Sequence, residues 1–292
     1  MSTKTSLIAW LIYPAVMILV IGLHFQLLNL AWAIHWAAYV PVMLGALTVN
    51  LLERKFPHQP QWQPDRYDWG NDLVFMLLVQ VLLPRFLSFF IAVTLLAALQ
   101  QYGMVLEGFW PHQWPIAVQA LLMLLAADLL RYWLHRAAHE WPPLWRLHAV
   151  HHSPKKLYWL NVGRFHPLDK SLQYLLDALP FIVLGVSAEV LALYFVFYAI
   201  NGFFQHCNIE LRLGALNYLI SGPELHRWHH SKIIAESNNN YGNNLIIWDI
   251  AFGTRFLPDD KQVEELGLIN RSYPTSFWTQ MKTPFIKGLD KG

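Results

Sequence analysis

The sequence predicts an all-α integral membrane protein, and three observations carry that expectation. Hydrophobic residues make up 55% of the 292 and charged residues only 14%, whereas a soluble domain usually carries about a quarter charged. Four apolar runs approach the roughly 20 residues that cross a bilayer as a helix. The frame Leu-His-x-x-His-His-Ser occurs twice, as LHAVHHS at 147–153 and LHRWHHS at 225–231. The expected architecture is about four transmembrane helices, a re-entrant helical hairpin and a histidine-rich helical cap on the cytoplasmic side.

The apolar runs span about Leu7–Leu28, Ala31–Leu52, Asp72–Leu99 and Pro115–Leu134. Pro84 falls inside the third, where a proline kinks or tilts a helix. The first run resembles a signal peptide in length. It lacks a small-x-small cleavage site and a second span follows at once, so an anchor is expected. The short loops near 24–31 and 101–114 contain no Lys or Arg, while 53–70 holds Arg54, Lys55 and Arg66 and the stretch 131–170 is basic. By the positive-inside rule the histidine region and both termini are then cytoplasmic.

Residues 171–205 are apolar but interrupted by Asp177, Pro180, Gly185 and Glu189. Two arms of about 16 residues would each reach roughly 24 Å, short of the roughly 30 Å hydrocarbon core. A hairpin that enters and returns to the same side is the expectation. The chain reads as one membrane-embedded domain over 1–292: membrane helices over 1–134, a histidine region over 135–256 and a cytoplasmic tail over 257–292.

Net charge is +2, and nothing in it points to a nucleic-acid partner. The single cysteine, Cys207, excludes an intrachain disulfide and any Cys-rich zinc or iron–sulfur site. Ten of the 14 histidines lie between 135 and 230. His135 and His139 are four apart and share one helical face. His148, His151 and His152 fall at i, i+3 and i+4, and His226, His229 and His230 repeat that spacing. Isolated histidines often serve as interfacial or hydrogen-bonded core residues. Eight at ligand spacing do not, because clustered imidazoles repel when protonated and need partners when buried. One ion accepts at most about six ligands and a catalytic site keeps a position open, so eight or more imidazoles imply two ions. Imidazole suits iron, zinc, copper and nickel alike.

A zinc protease of the His-Glu-x-x-His type needs a glutamate after the first histidine; here Arg136 stands there. A zinc transporter would place ligands mid-membrane, often with carboxylates. The stretches HRAAH, HAVHH and HRWHH, in that order, instead resemble the three histidine boxes of the fatty acid hydroxylase/sterol desaturase superfamily. NNNYGNNLIIWDIAFGTRF at 238–256 resembles the region after its last box. The resemblance runs from about Asp128 to Phe256. It implies a membrane-bound non-haem oxygenase with two iron ions, using O2 and external electrons on a lipid C–H bond. It also implies a ninth ligand, His206, and draws attention to His166 in RFHPLD. For His166 three readings stand open: a tenth ligand, a group that orients a ligand, or a hydrogen-bonded loop anchor.

Asp128 shares a helical stripe with His135 and His139, and an intramembrane carboxylate usually faces a functional interior. It is read as the acceptor that fixes the tautomer of a ligand imidazole, against the alternative of an ion pair with Arg131 or Arg136. Asn201 is a weaker candidate of the same kind. Trp141, Trp145, Trp159 and Trp228 read as an interfacial aromatic belt.

Breaking an unactivated C–H bond requires redox chemistry that zinc lacks. The sequence has no G-x-G-x-x-G and no C-x-x-C-H, so electrons are expected from a separate protein or a diffusible reductant. The first functional expectation is a lipid hydroxylase acting on a fatty acyl chain, an aminolipid or a sterol-like molecule. The second is desaturation or ether-lipid cleavage on the same centre. The third, of a different class, is a non-redox zinc hydrolase or a metal-handling membrane protein.

Overall fold

The computed structural model describes residues 3–91, 94, 97–102 and 106–289. Among them regular structure is helical, with β-pairing confined to isolated bridges such as Pro57–Ile209 and Ser231–Leu266. The helices that build the site are α1 (Thr3–Asn29), α2 (Ile34–Lys55), α3 (Arg66–Ile91), α4 (Ile116–Glu140), α5 (Pro142–His152), α6 (Pro167–Asp177), α7 (Ala188–His206) and α8 (Pro223–His229). Five are long and apolar enough to cross a membrane: Leu7–Asn29 within α1, then α2, α3, α4 and α7. The protein is a multi-pass membrane protein.

The exposed faces explain why lipid must be the solvent. Ile18 and Leu19 on α1 are each 70% exposed, and Met43 on α2 and Phe89 on α3 are nearly as open. Such patches on a soluble monomer would drive association. The inward faces of the same helices pack Val16, Val20, Val42 and Val49 against Val196 and Ile200 of α7. Gly45 permits the close approach of α2 to α7, because a Cβ there would lie 2.4 Å from Ile200 Cδ1; small residues serve this purpose at membrane helix contacts. The Tyr13 hydroxyl donates to Asn201 Oδ1 at 2.8 Å.

Helix α3 starts before the predicted Asp72, because Asp65 caps it in a reciprocal pair with Asp68 and draws the polar turn Arg66–Asn71 into the helix. The expected irregularity near Pro84 takes the form of a π-helical stretch, Met76–Leu82. There the Leu83 N–H reaches back to Leu78 O, one residue further than in an α-helix. The predicted end at Leu99 depends on residues 92, 93, 95 and 96, which lie outside the described residues, as do 1–2 and 290–292.

Helix α4 continues past the predicted Leu134 to Glu140. His135 and His139 therefore stand on the last turns of a spanning helix. Trp141 ends it in an extended conformation (φ −110°, ψ 114°), as a residue before proline prefers, and Pro142 opens α5.

The hairpin differs from the expected pair of equal arms. Its descending arm is broken into α6 and Leu179–Val183, and the chain turns at Gly185 (φ +67°). Ser187 then caps α7, its side chain accepting from Val190 N. The returning arm, α7, has 19 residues and is about 28 Å long, close to a full crossing. Both ends nevertheless return to the histidine cap: Asp169 near the start of α6 meets His148, and His206 ends α7. Residues beyond 257 are no free tail. Phe277 packs edge-on against Phe75 of α3 with centroids 4.7 Å apart, and Gln280 Nε2 donates to Ser153 Oγ at 2.8 Å.

Candidate metal centre

Nine of the ten predicted histidines converge in two adjoining groups. His135, His139, His148, His152 and His229 form one; His151, His206, His226 and His230 form the other. Within each, one ring nitrogen per residue lies within 4.8 Å of all the rest. The groups abut where the His152 and His230 rings stack at 4.4 Å. The two Leu-His-x-x-His-His-Ser frames are exchanged between them. Each frame sends its i, i+4 pair, His148/His152 or His226/His230, to one group. Each sends its i+3 histidine, His151 or His229, to the other. Helical periodicity explains the split, since i and i+4 lie over one another while i+3 lies to the side.

Six rings have Nδ1 tied to an oxygen acceptor. His135 Nδ1 meets Tyr241 O at 2.7 Å, His139 meets Asn238 Oδ1 at 3.1 Å and His229 meets Asn239 O at 2.8 Å. His148 Nδ1 meets Asp169 Oδ2 at 2.8 Å, His151 meets Arg164 O at 3.2 Å and His206 meets Asn161 Oδ1 at 2.7 Å. An oxygen acceptor at Nδ1 puts the proton there and leaves Nε2 as a lone pair, the usual arrangement of a metal-binding histidine. Nε2 of His135, His148 and His229 is buried without a hydrogen-bond partner. His226 Nε2 stands 3.0 Å from His206 Nε2 and 3.1 Å from His230 Nε2; one proton cannot satisfy three converging imines. Both groups fit a cation of the borderline kind that imidazole prefers.

Burial pushes His229 down to about 3 and holds His151, His152, His226 and His230 well below the usual imidazole value, with neighbouring imidazoles adding to the effect. Such depressed groups favour the folded state above their unfolded value near 6.5. Below it the unfolded chain binds protons that the folded rings refuse, so stability falls as pH drops toward 3. Metal-stripped protein should melt at a lower temperature at pH 5 than at pH 7.5. A higher melting temperature at pH 5 would contradict a cluster held neutral by burial.

The three acceptors for His135, His139 and His229 come from one loop, 238–241, within the stretch that resembles the region after the last histidine box. Asn240 there adopts φ +57°, a conformation Asn tolerates. A Cβ at Gly242 would lie 2.1 Å from Leu245 O, so only glycine fits. Two buried carboxylates clasp the loop. Asp249 accepts from Tyr241 N and Gly242 N, both at 2.7 Å, and burial pushes its carboxyl up to about 6 against hydrogen bonds from Thr254 and the loop. Asp128 accepts from Asn244 N at 2.7 Å, Asn244 Nδ2 at 2.8 Å and Leu245 N at 2.5 Å.

The expected contact of Asp128 with an imidazole is therefore replaced by a clasp on the loop that orients three of them. Arg131 pairs with Asp177 and Arg136 with Glu140, so the alternative ion pair is not made either. Asn201 likewise reaches Tyr13 and Asn244 rather than a ring. His166 stands apart from both groups. Its Nδ1 accepts from Leu168 N at the start of α6 and its Nε2 lies 3.3 Å from Met281 O, which is the loop-anchor reading. Trp228 is buried against Phe256 and leaves the aromatic belt; Trp145 packs on the rings of His139 and His152. The orienting groups that sequence reasoning missed are Asn161, Arg164, Asp169, Asn238, Asn239 and Tyr241. Half of them act through backbone carbonyls, which carry no residue signature.

A cavity of about 610 Å³ touches both groups, through His135 and His148 on one side and His151, His206 and His226 on the other. Its apolar wall includes Met43 and Leu77, which are also exposed on the outside of the bundle. A smaller cavity of about 140 Å³ reaches His139 and His152 from the cap, past Ser231 and Lys232.

The model of the fatty acid hydroxylase family matches residues 120–254. An ornithine lipid hydroxylase of Rhizobium tropici is 38% identical over 243 residues, which cover 81% of this chain and 72% of that protein. The chain belongs to the fatty acid hydroxylase family. Within it, an alkylglycerol monooxygenase of Danio rerio is 33% identical over 51% of this chain and 33% of its own length. A very-long-chain aldehyde decarbonylase of Oryza sativa subsp. indica is 28% identical over 52% and 24%. This chain thus spans about a third and a quarter of those two relatives. No solved structure matches it. As a fatty acid hydroxylase family member it is an oxidoreductase of the lipid-oxygenase kind, and both histidine groups fall within the matched segment.

Proposed function

We propose that this protein is an O2-dependent di-iron lipid hydroxylase. The observation that carries the reading is a single cavity that joins lipid-exposed apolar side chains to imidazoles of both histidine groups. In this reading His135, His139, His148, His152 and His229 hold one iron and His151, His206, His226 and His230 the other. Iron supplies the one-electron chemistry that oxygenation of a C–H bond demands and that zinc lacks. The electrons come from a separate donor protein or a diffusible reductant.

The chain's own contribution is binding, orientation and exclusion of water. The carbonyls, the carboxamides and the Asp169 carboxylate at Nδ1 lock six rings with Nε2 inward, so the rings need no reorganisation when metal binds. Trp159, Phe165 and Phe203 line the cavity beside the rings and keep it dry. A lipid chain entering along Met43 and Leu77 brings a carbon to the histidine side.

Metal analysis of anaerobically prepared protein should find two irons per chain; two zincs with full function would support the non-redox class instead. Lipid mass spectrometry of cells with and without the gene should show a lipid that gains one oxygen. A lipid that loses two hydrogens would make the activity desaturation.

The histidine cap, the 53–70 loop and both termini are proposed to be cytoplasmic, with the whole of 1–292 acting as one domain. Arg54, Lys55 and Arg66 lie at the cap end of α2 and α3, as the positive-inside rule requires. Reporter fusions at Glu107 and Asp290 should report opposite sides of the membrane; the same side for both would overturn this orientation.

A further inference from the structure

The cavity carries more charge on its histidine side than a lipid tail needs. Lys170, on α6, is 4% exposed and lines it. Its Nζ donates to Tyr198 Oη at 3.0 Å and lies near the rings of Phe165 and Tyr198. Among the described residues it makes no ion pair. Of the other cations nearby, Arg131 pairs with Asp177 and Arg164 with Asp72, while Arg85, exposed at the cavity wall, lies against the Tyr39 ring. The adjacent carboxylate, Asp169, is committed to His148 Nδ1 and Gln173 Nε2. A buried ammonium with one phenol partner keeps two N–H donors unmatched, which is costly without an anion.

The unsatisfied polar atoms of the same cavity point the same way. Arg131 Nε, Tyr194 Oη and Asn243 Nδ2 are buried, line it and lack a hydrogen-bond partner. All three can donate. Apart from Nε2 of His135 and His148, which the lipid-oxygenase reading gives to the metal, the acceptors left over are Gln80 Oε1 and Gln173 Oε1. Once those imidazole nitrogens are set aside donors exceed acceptors, and Lys170 is the buried lining cation that touches no carboxylate among the described residues. An enzyme that oxidised the middle of an alkyl chain would surround its metal ligands with apolar side chains instead.

We infer that Lys170 is a specificity-determining residue that receives a singly charged oxygen anion at the polar end of the lipid substrate. This rests on the lipid-oxygenase reading and deepens it. The substrate enters with its charged end toward the histidines and its tail along Met43 and Leu77. Lys170 Nζ lies 5.9 Å from the Phe165 ring, which stacks on His151 with centroids 4.1 Å apart, so the attacked carbon lies near the charged group. The shared chemistry is one negative charge on oxygen, borne by a carboxylate or a phosphodiester.

The test measures binding to the purified full chain in nanodiscs of phosphatidylcholine, by competition against radiolabelled N-palmitoylglycine. The competitors are unlabelled N-palmitoylglycine, its uncharged methylamide and palmitoyl-lysophosphatidylglycerol. In the wild type the carboxylate should bind about 10- to 100-fold more tightly than the methylamide, the span expected of a charge-assisted hydrogen bond. Lys170→Met should erase that gap and Lys170→Arg should keep most of it. Tyr198→Phe leaves the ammonium in place and should preserve it. Competition by the phosphodiester at least as strong as by the carboxylate assigns the anion to a phospholipid; weaker competition assigns it to a carboxylate.

Equal affinity for the charged and uncharged probes in the wild type overturns the inference, and that comparison needs no variant to fold. A gap that survives in Lys170→Met, or vanishes in Tyr198→Phe, overturns it too. Binding requires neither turnover nor electrons. A charge preference without oxygenated product would refute the hydroxylase reading alone, and oxygenation without the preference would refute this inference alone.

Discussion

His151→Ala and His229→Ala should each abolish oxygenated product, by a factor on the order of a thousand or more, while the protein stays folded in the membrane. The two residues come from different copies of the repeated frame and belong to different groups. Each is the i+3 histidine that its frame sends across to the other group. Loss of either leaves one group short by a ring, and both groups open onto one cavity. The double variant should be no worse than the single ones, because residues that act as a unit are grossly non-additive. Product formation in detergent-solubilised enzyme, with the metal-to-protein ratio measured beside it, checks the expectation. If His229→Ala keeps most activity while His151→Ala loses it, the two groups do not form one working centre.

The histidines were legible because helical periodicity and ligand chemistry both act through side-chain identity and spacing. Three H-x-x-H or H-x-x-x-H patterns place their rings on helical stripes wherever the helices go. The five apolar helices were legible for a related reason: lipid accepts only chains whose apolar side chains face outward as well as inward. The first two spans agree with the reading to within a few residues, whereas α3 starts six residues before the expected Asp72 and α4 runs six residues past the expected Leu134. The fifth, α7, reads from the sequence as one of two arms of about 16 residues, because Asp177, Pro180, Gly185 and Glu189 all count as interruptions; Glu189 does not interrupt the helix. In the structure it sits in the first turn, beside the Ser187 cap, where a carboxylate favours the helix.

What the sequence concealed lies in the long-range contacts. Asp128 stands out in the sequence as a costly intramembrane carboxylate, but its partners lie 116 and 117 residues away on a loop. Spacing along α4 says nothing about them. The carbonyls of Arg164, Asn239 and Tyr241 orient rings through the backbone, so no residue type announces them. His166 draws attention through the family resemblance; in the fold Pro167 opens α6 and His166 caps it. The exchange of the two frames between the groups also depends on how α5 and α8 face each other, which no local pattern encodes.

Asp128→Asn should unbalance the centre rather than merely weaken it. The carboxylate accepts three N–H groups from Asn244 and Leu245. An amide keeps one oxygen and turns an NH2 group toward N–H donors, which leaves buried groups unsatisfied and costs about 2–3 kcal/mol of stability. The disturbance reaches Asn238, Asn239 and Tyr241 along the same loop, and these orient His139, His229 and His135. All three rings belong to the five-histidine group. The four-histidine group takes its orientation from Asn161 and Arg164 instead. Metal affinity should fall about 10- to 100-fold, as when a ligand loses its orienting partner, and the loss should fall on one ion. Titration with a chelator should then remove metal in two separated steps from Asp128→Asn, the first accounting for half of the total. Asn201→Ala, which removes only the 3.4 Å contact to Asn244 Oδ1 from this loop, should leave that first step close to wild type. Parallel loss of both metals from Asp128→Asn would mean that the loop supports the whole cap. Full retention would mean that Asn244 and Leu245 hold the loop without the carboxylate, and the clasp would then carry no part of the site's geometry.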